Sequence, residues 1–130
     1  MSKTITIPCV ANDGIGFSIF AERKIDLHGN NERMLSEQIS ALNCRLREND
    51  ASYSSAWHVA GDSTLLVILA GTLRIELRSG ETCEFSLGEM FVAEDYLAVG
   101  VQFDSVQHGH RAVVVGDELL SVIHIKLEKR

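Results

Sequence analysis

Five histidines, three cysteines and one tryptophan are the side chains of this sequence with the widest chemical repertoire. His58 follows Trp57, while His108 and His110 flank Gly109 just ahead of Arg111. An imidazole can ligate a metal or carry a proton near neutral pH, and it can equally serve as a hydrogen-bonded structural group near a barrel mouth. Histidines two positions apart face the same way only on a regular strand, and Gly109 lets the backbone at His110 pack closely. Glu94 and Asp95 are adjacent, so they point to opposite faces and are not expected to share a proton. Arg111 could grip a carboxylate bidentately, but pairing with Glu94 or Asp95 is the expected use. Trp57 reads as a core or rim aromatic. His28 and His124 read as surface residues, the latter because it lies opposite an apolar strand face.

Cys9, Cys44 and Cys83 are odd in number and widely spaced, with no CxxC pair. A disulfide framework or thiolate zinc site is not expected, and free packing thiols in a reducing compartment are. Cys83 alternates with Phe85 and Leu87, which suits a core thiol better than a nucleophile. Gly80-Glu81 and Gly88-Glu89 open no helix, so they read as hairpin turns and not phosphate cradles.

These groups need a scaffold, and the central one runs from Trp57 to Leu77. Leu65 to Ala70 is an apolar run ending at Gly71, and Thr72 to Leu77 alternates polar with apolar. The first predicts a buried strand, the second a strand with one wet face, and Gly71 the turn between them. Thr4 to Ile7 predicts a first strand stopped by Pro8, the one proline of the chain. Asn12 to Gly16 is turn chemistry. Met34 to Leu46 mixes helical and strand spacing, and a strand over Ser40 to Leu46 is the preferred reading. Further strands are predicted over Cys83 to Leu87, Met90 to Ala93, Arg111 to Val115 and Leu119 to Leu127. Many short strands without a convincing helix predict an all-β sandwich or barrel.

The 130 residues predict one domain (1–130), with N-terminal strands and loops over 1–33 and a barrel over 34–130. Twelve Lys and Arg against eighteen Asp and Glu leave a formal charge of -6, which argues against nucleic acid or an anionic membrane as partner. No apolar segment is long enough to span a bilayer and the start is polar, so a cytoplasmic protein is expected.

From Trp57 to Val115 the sequence resembles small single-domain cupins, the RmlC-like jelly-roll family. The resemblance rests on Trp57-His58, Val67 to Gly71, Gly80-Glu81, Phe85 to Glu89, Ala93-Glu94-Asp95 and Gly109-His110. It implies a cupin-type double-stranded β-helix, pairing of subunits through a first strand at Thr4 to Ile7, and a metal site whose usual ligands lie at fixed spacing. Counting seven back from Gly71 reaches Thr64, where the family usually has Glu. Four further back is Ala60, the usual second His, which leaves His58 as the first. Glu94 stands at the usual proline of the second motif, and His110 matches that motif's His after an excursion from Tyr96 to Gln107. His58 and His110 are therefore the candidate metal ligands, with two expected partners replaced; His108, Glu94, Asp95 and Glu76 are the possible substitutes.

The expected site is a barrel mouth lined by His58, Thr64, His110, Trp57 and Glu76. The leading functional expectation is a small-molecule-binding cupin, a homodimer, with a degraded or absent metal centre. The alternative is a metal-dependent dioxygenase or isomerase of small organic acids, using His58 and His110 on a divalent transition metal. The excursion is too apolar for a freely solvated loop and is expected to cover the mouth or a partner subunit.

Overall fold

The computed structural model describes residues 1–128. These form ten strands: β1 (Ser2–Asn12), β2 (Ser18–Asn30), β3 (Arg33–Leu35), β4 (Ala41–Asn49), β5 (Thr64–Ala70), β6 (Thr72–Leu77), β7 (Thr82–Phe85), β8 (Met90–Ala93), β9 (His110–Val115) and β10 (Leu120–Leu127). Among the described residues there is no helix, and so none long and apolar enough to cross a membrane. One sheet has seven strands in the order β3-β2-β1-β8-β5-β10-β4, and the other has three in the order β7-β6-β9. Bridges Ser54↔Val113 and His58↔His110 add the segment 54–58 beside β9.

The strand order identifies the architecture. In one layer β4-β10-β5-β8 are neighbours, and in the facing layer segment 54–58, β9, β6 and β7 are. Consecutive strands thus cross repeatedly between layers, which is the jelly-roll way of closing two antiparallel sheets around one core. That core contains Ile68, Ile75, Phe85, Phe91, Val114 and Val122. Phe85 and Phe91 stack across it with ring centroids 4.3 Å apart.

The β5–β6 hairpin turns at Gly71 as expected, with φ +77°. A Cβ there would lie 2.6 Å from the Leu119 carbonyl oxygen, so the turn is closed to any other residue without a shift. Pro8 does not stop the first strand. β1 runs through it, because β1 meets β8 only at Cys9 and Val10 and Pro8 falls just outside that register. The first strand is held over its whole length by β2 of the same chain, from Ser2↔His28 to Asn12↔Ser18.

β4 and β10 invert the usual distribution of side chains. On β4, Arg47 and Asn49 face the barrel lumen, while Leu42 (59% exposed) and Leu46 (72%) lie on the outer face. On β10, Val122 and His124 line the lumen, which corrects the expectation that His124 is a surface residue. Ile123 and Ile125 face outward in register with Leu46 and Cys44. Leu87 is likewise exposed instead of sharing the core side of Cys83 and Phe85.

Candidate functional site

The lumen holds a cavity of about 210 Å³. Its deep wall is apolar, with Leu66, Leu73, Ile75 and Phe91, and its polar rim comes from Arg47, Asn49, Tyr53, His58, His110 and His124. Ala60 and Thr64 also line it. No Asp or Glu does so among the described residues.

His110 opens β9 and is 4% exposed. Its Nδ1 lies 2.7 Å from Oδ2 of Asp95, whose exposure is 0%. The Ser18 hydroxyl donates to the same oxygen at 2.7 Å, and the Ala60 N–H donates to Oδ1 at 2.9 Å. With donors on every side, Asp95 acts as acceptor and the His110 proton sits on Nδ1. The His110 Nε2 has no hydrogen-bond partner among the described residues.

His58 reaches the cavity by a different route. Its backbone exchanges two hydrogen bonds with His110, N–H to O at 3.0 Å and O from N–H at 2.9 Å. The close approach depends on Gly109 (φ +86°), where a Cβ would fall 2.6 Å from the His58 carbonyl oxygen. The imidazole rings sit with centroids 4.6 Å apart. His58 Nδ1 donates to the Ala56 carbonyl at 2.8 Å, which leaves its Nε2 as the second unclaimed ring nitrogen. Two segments distant in sequence thus meet at one end of the barrel.

Three of the five expected site residues, His58, Thr64 and His110, line the cavity, and two do not. Glu76 points to the outer face of β6, because the inward positions there are Leu73, Ile75 and Leu77. It accepts from Arg111 Nε at 2.9 Å and Arg74 Nε at 3.0 Å, and the Arg111 hydrogen bonds hold its carboxyl below the usual carboxylate range. Arg111 therefore pairs with Glu76 and not with Glu94 or Asp95. Trp57 lies on the same outer side, under the Arg78 guanidinium at 4.0 Å and near Arg111 at 5.3 Å.

The possible substitute ligands are also directed elsewhere. Glu94 forms an ion pair with Arg23 at 2.6 Å, on the face opposite Asp95. The buried His108 accepts the Asp104 N–H at Nδ1 at 2.8 Å, and the left-handed turn at Gly109 separates its side from that of His110. The excursion does not cover the cavity. Tyr96 exchanges hydrogen bonds with Asn12, and Gln107 donates to the Ile15 carbonyl, so it lies along the β1–β2 turn with Tyr96, Val101 and Phe103 exposed.

The donor set does not fit a resident divalent ion. Two imidazoles converge, a methyl and a hydroxyl stand at Ala60 and Thr64 where the resemblance implied further ligands, and both Asp95 oxygens are occupied. Among the described residues no group of three or more His, Cys, Asp or Glu side chains could hold one. Sequence reasoning missed Arg47, Tyr53 and His124 as members of the site, and it named Asp95 only as a possible metal ligand and not as the partner of His110. The polar alternation of Arg45, Arg47 and Asn49 was the available signal for β4.

No protein-family model matches the chain. No curated protein matches it either. Among solved structures it is similar to a cupin-2 domain containing protein from Shewanella frigidimarina, at 21% identity over 65% of this chain and 69% of that one, TM-score 0.46. It is also similar to a conserved Streptococcus pyogenes protein of unknown function, at 15% identity over 78% and 79%, TM-score 0.48. The capsular polysaccharide assembling protein CapF of Staphylococcus aureus shares 11% identity over 79% of this chain and 30% of its own, TM-score 0.43. The fold assignment rests on the strand order itself. By that order the described residues of this chain form an all-β jelly roll.

Proposed function

We propose that this chain binds one small molecule inside its barrel, without a resident metal. The supporting observation is the lumen cavity, lined by His58 and His110, each with a ring nitrogen that has no hydrogen-bond partner among the described residues. At about 210 Å³ it is smaller than the roughly 300–1,000 Å³ of sites that take drug-sized ligands, so a compact metabolite is the fitting occupant. The metal-dependent dioxygenase or isomerase reading lacks donors. The test is a mixture screen of small metabolites by NMR on labelled protein. At least one compound is expected to shift the His58, His110 and His124 resonances while leaving His28 unmoved. Shifts confined to surface residues would refute binding in the lumen.

For the expected homodimer we propose a surface other than the first strand. Leu42, Leu46, Ile123 and Ile125 make the outer face of β4 and β10 apolar, and a second copy of the chain is the partner we propose for it. Sedimentation should show a dimer that Leu46→Glu converts to monomer and that removal of residues 1–8 does not. The opposite pattern would return the interface to the first strand.

A further inference from the structure

We infer that the occupant of the lumen is a monocarboxylate with an apolar body, its carboxylate held by the guanidinium of Arg47. This deepens the reading of the barrel as a small-molecule site and rests on it.

Arg47 is half-buried at the rim and has no ion-pair partner among the described residues. Its Nε donates to Asn49 Oδ1 at 2.9 Å and its Nη2 to the Tyr53 hydroxyl at 3.0 Å. Both partners are neutral, and of the five N–H groups of a guanidinium three remain unassigned. The two bonds fix the plane of the group, and Tyr53 also lies beneath it, 5.3 Å from Cζ to ring centroid. A guanidinium held in place before any ligand arrives, with donors to spare, is the usual means of gripping a planar carboxylate.

Arg47 is the one guanidinium of the lining among the described residues, and the Asp95 carboxylate behind His110 is already taken up by His110, Ser18 and Ala60. His58, His110 and His124 share the rim with Arg47, and the lining contains no carboxylate among the described residues. Burial pushes the His124 imidazole below its usual range, and the charges of Arg47 and Arg45 add to that push. These groups lie where a barrel strand ordinarily turns apolar side chains inward, whereas β4 sends its Leu42 and Leu46 outward. The polar side of the strand thus serves the lumen. Opposite the rim, Leu66, Ile75 and Phe91 offer an apolar wall with no further cation, which suits one carboxylate and a hydrocarbon or aromatic body.

The experiment titrates the full chain with benzoate, benzamide and benzyl alcohol, which share a ring and differ in charge, and follows the Arg Nε–H and imidazole signals by NMR. Benzoate is expected to shift Arg47, His124 and His110 saturably and to bind roughly 10- to 100-fold tighter than benzamide, as loss of a charge-assisted pair of hydrogen bonds implies. Arg47→Met, which keeps the aliphatic stem, should erase that preference, and Arg47→Lys should retain part of it. The wild-type comparison needs no variant to fold. If benzamide shifts the lumen signals at least as well as benzoate, the inference falls while the barrel remains a binding site. If none of the three reaches a lumen signal, the inference falls as well, and the metabolite screen alone then judges the broader reading.

Discussion

His110 Nδ1 and Asp95 Oδ2 lie 2.7 Å apart with both side chains buried, and this pair joins the site to the scaffold. The same carboxylate accepts from Ser18 at the start of β2 and from Ala60 ahead of β5. Asp95→Ala leaves those donors unpaired in a closed interior. It is expected to cost about 3–5 kcal/mol in urea unfolding, with Asp95→Asn intermediate because its carbonyl oxygen can still accept. A loss under 1 kcal/mol for the alanine variant would show that water replaces the carboxylate.

Gly109 is the second structural constraint on the site. A residue with φ +86° and a Cβ 2.6 Å from the His58 carbonyl oxygen combines left-handed strain with a backbone clash. Gly109→Ala should therefore lower stability by more than the roughly 1–2 kcal/mol of left-handed strain alone, and should disturb the His58 ring signals. Gly100→Ala is the control. Its φ is +82° but a Cβ there meets nothing within 4 Å, so only the strain is expected.

The His124 imidazole gives stability a pH dependence. Its folded pKa is lowered from 6.5, first by desolvation and then by Arg47 and Arg45, so the unfolded chain binds the proton more readily. The contribution is present above 6.5 and is lost as pH falls through the folded value. Urea midpoints measured between pH 7.5 and 5 should decline on acidification, and His124→Gln should flatten part of that decline. Identical slopes in the two proteins would locate the acid sensitivity elsewhere.

Thiol reactivity should rank by burial and charge. Cys9 is pushed up to about 11 by desolvation, with Glu94 adding to it, and Cys83 is raised by the same first cause. Cys44 is exposed on the outer face of β4. In native protein a disulfide reagent should modify Cys44 first and leave Cys9 until unfolding; fast native labelling of Cys9 would contradict this order.

The missing donors can be restored. Ala60 and Thr64 line the cavity with His58 and His110, so Ala60→His with Thr64→Glu adds an imidazole and a carboxylate to the existing pair. The double variant should retain a stoichiometric transition metal through dialysis against chelator, and the parent chain should not. Equal metal content in both would refute the reading of the parent donor set.

Much of the scaffold was legible in the residues. The apolar run ending at Gly71 and the strands from Met90 and Arg111 follow from alternation and glycine placement, and the approach of His58 to His110 was implied by the family resemblance. The in-out sense of β4 and β10 did not follow. Period-two patterning separates two faces without saying which is inner, and here the lumen takes Arg47 and His124 while solvent or a partner takes Leu46 and Ile123. His124 was misplaced for that reason, and Glu76 because outward alternation on β6 was not applied to it. Asp95, named only as a possible metal ligand, was hidden as the partner of His110 for a different reason. Its three partners lie 77, 35 and 15 residues away, beyond the reach of local pattern.

The carboxylate shared by His110, Ser18 and Ala60 also bears on how this barrel can acquire new chemistry. Asp95 cannot be exchanged without disturbing three stretches of chain at once, which makes it a poor starting point for variation. Ala60 and Thr64 line the same lumen, Ala60 meets that carboxylate through its backbone N–H, and the Thr64 hydroxyl donates to the Asp62 carbonyl. Selection or design can revise those two positions step by step, leaving the frame that aims His110 intact.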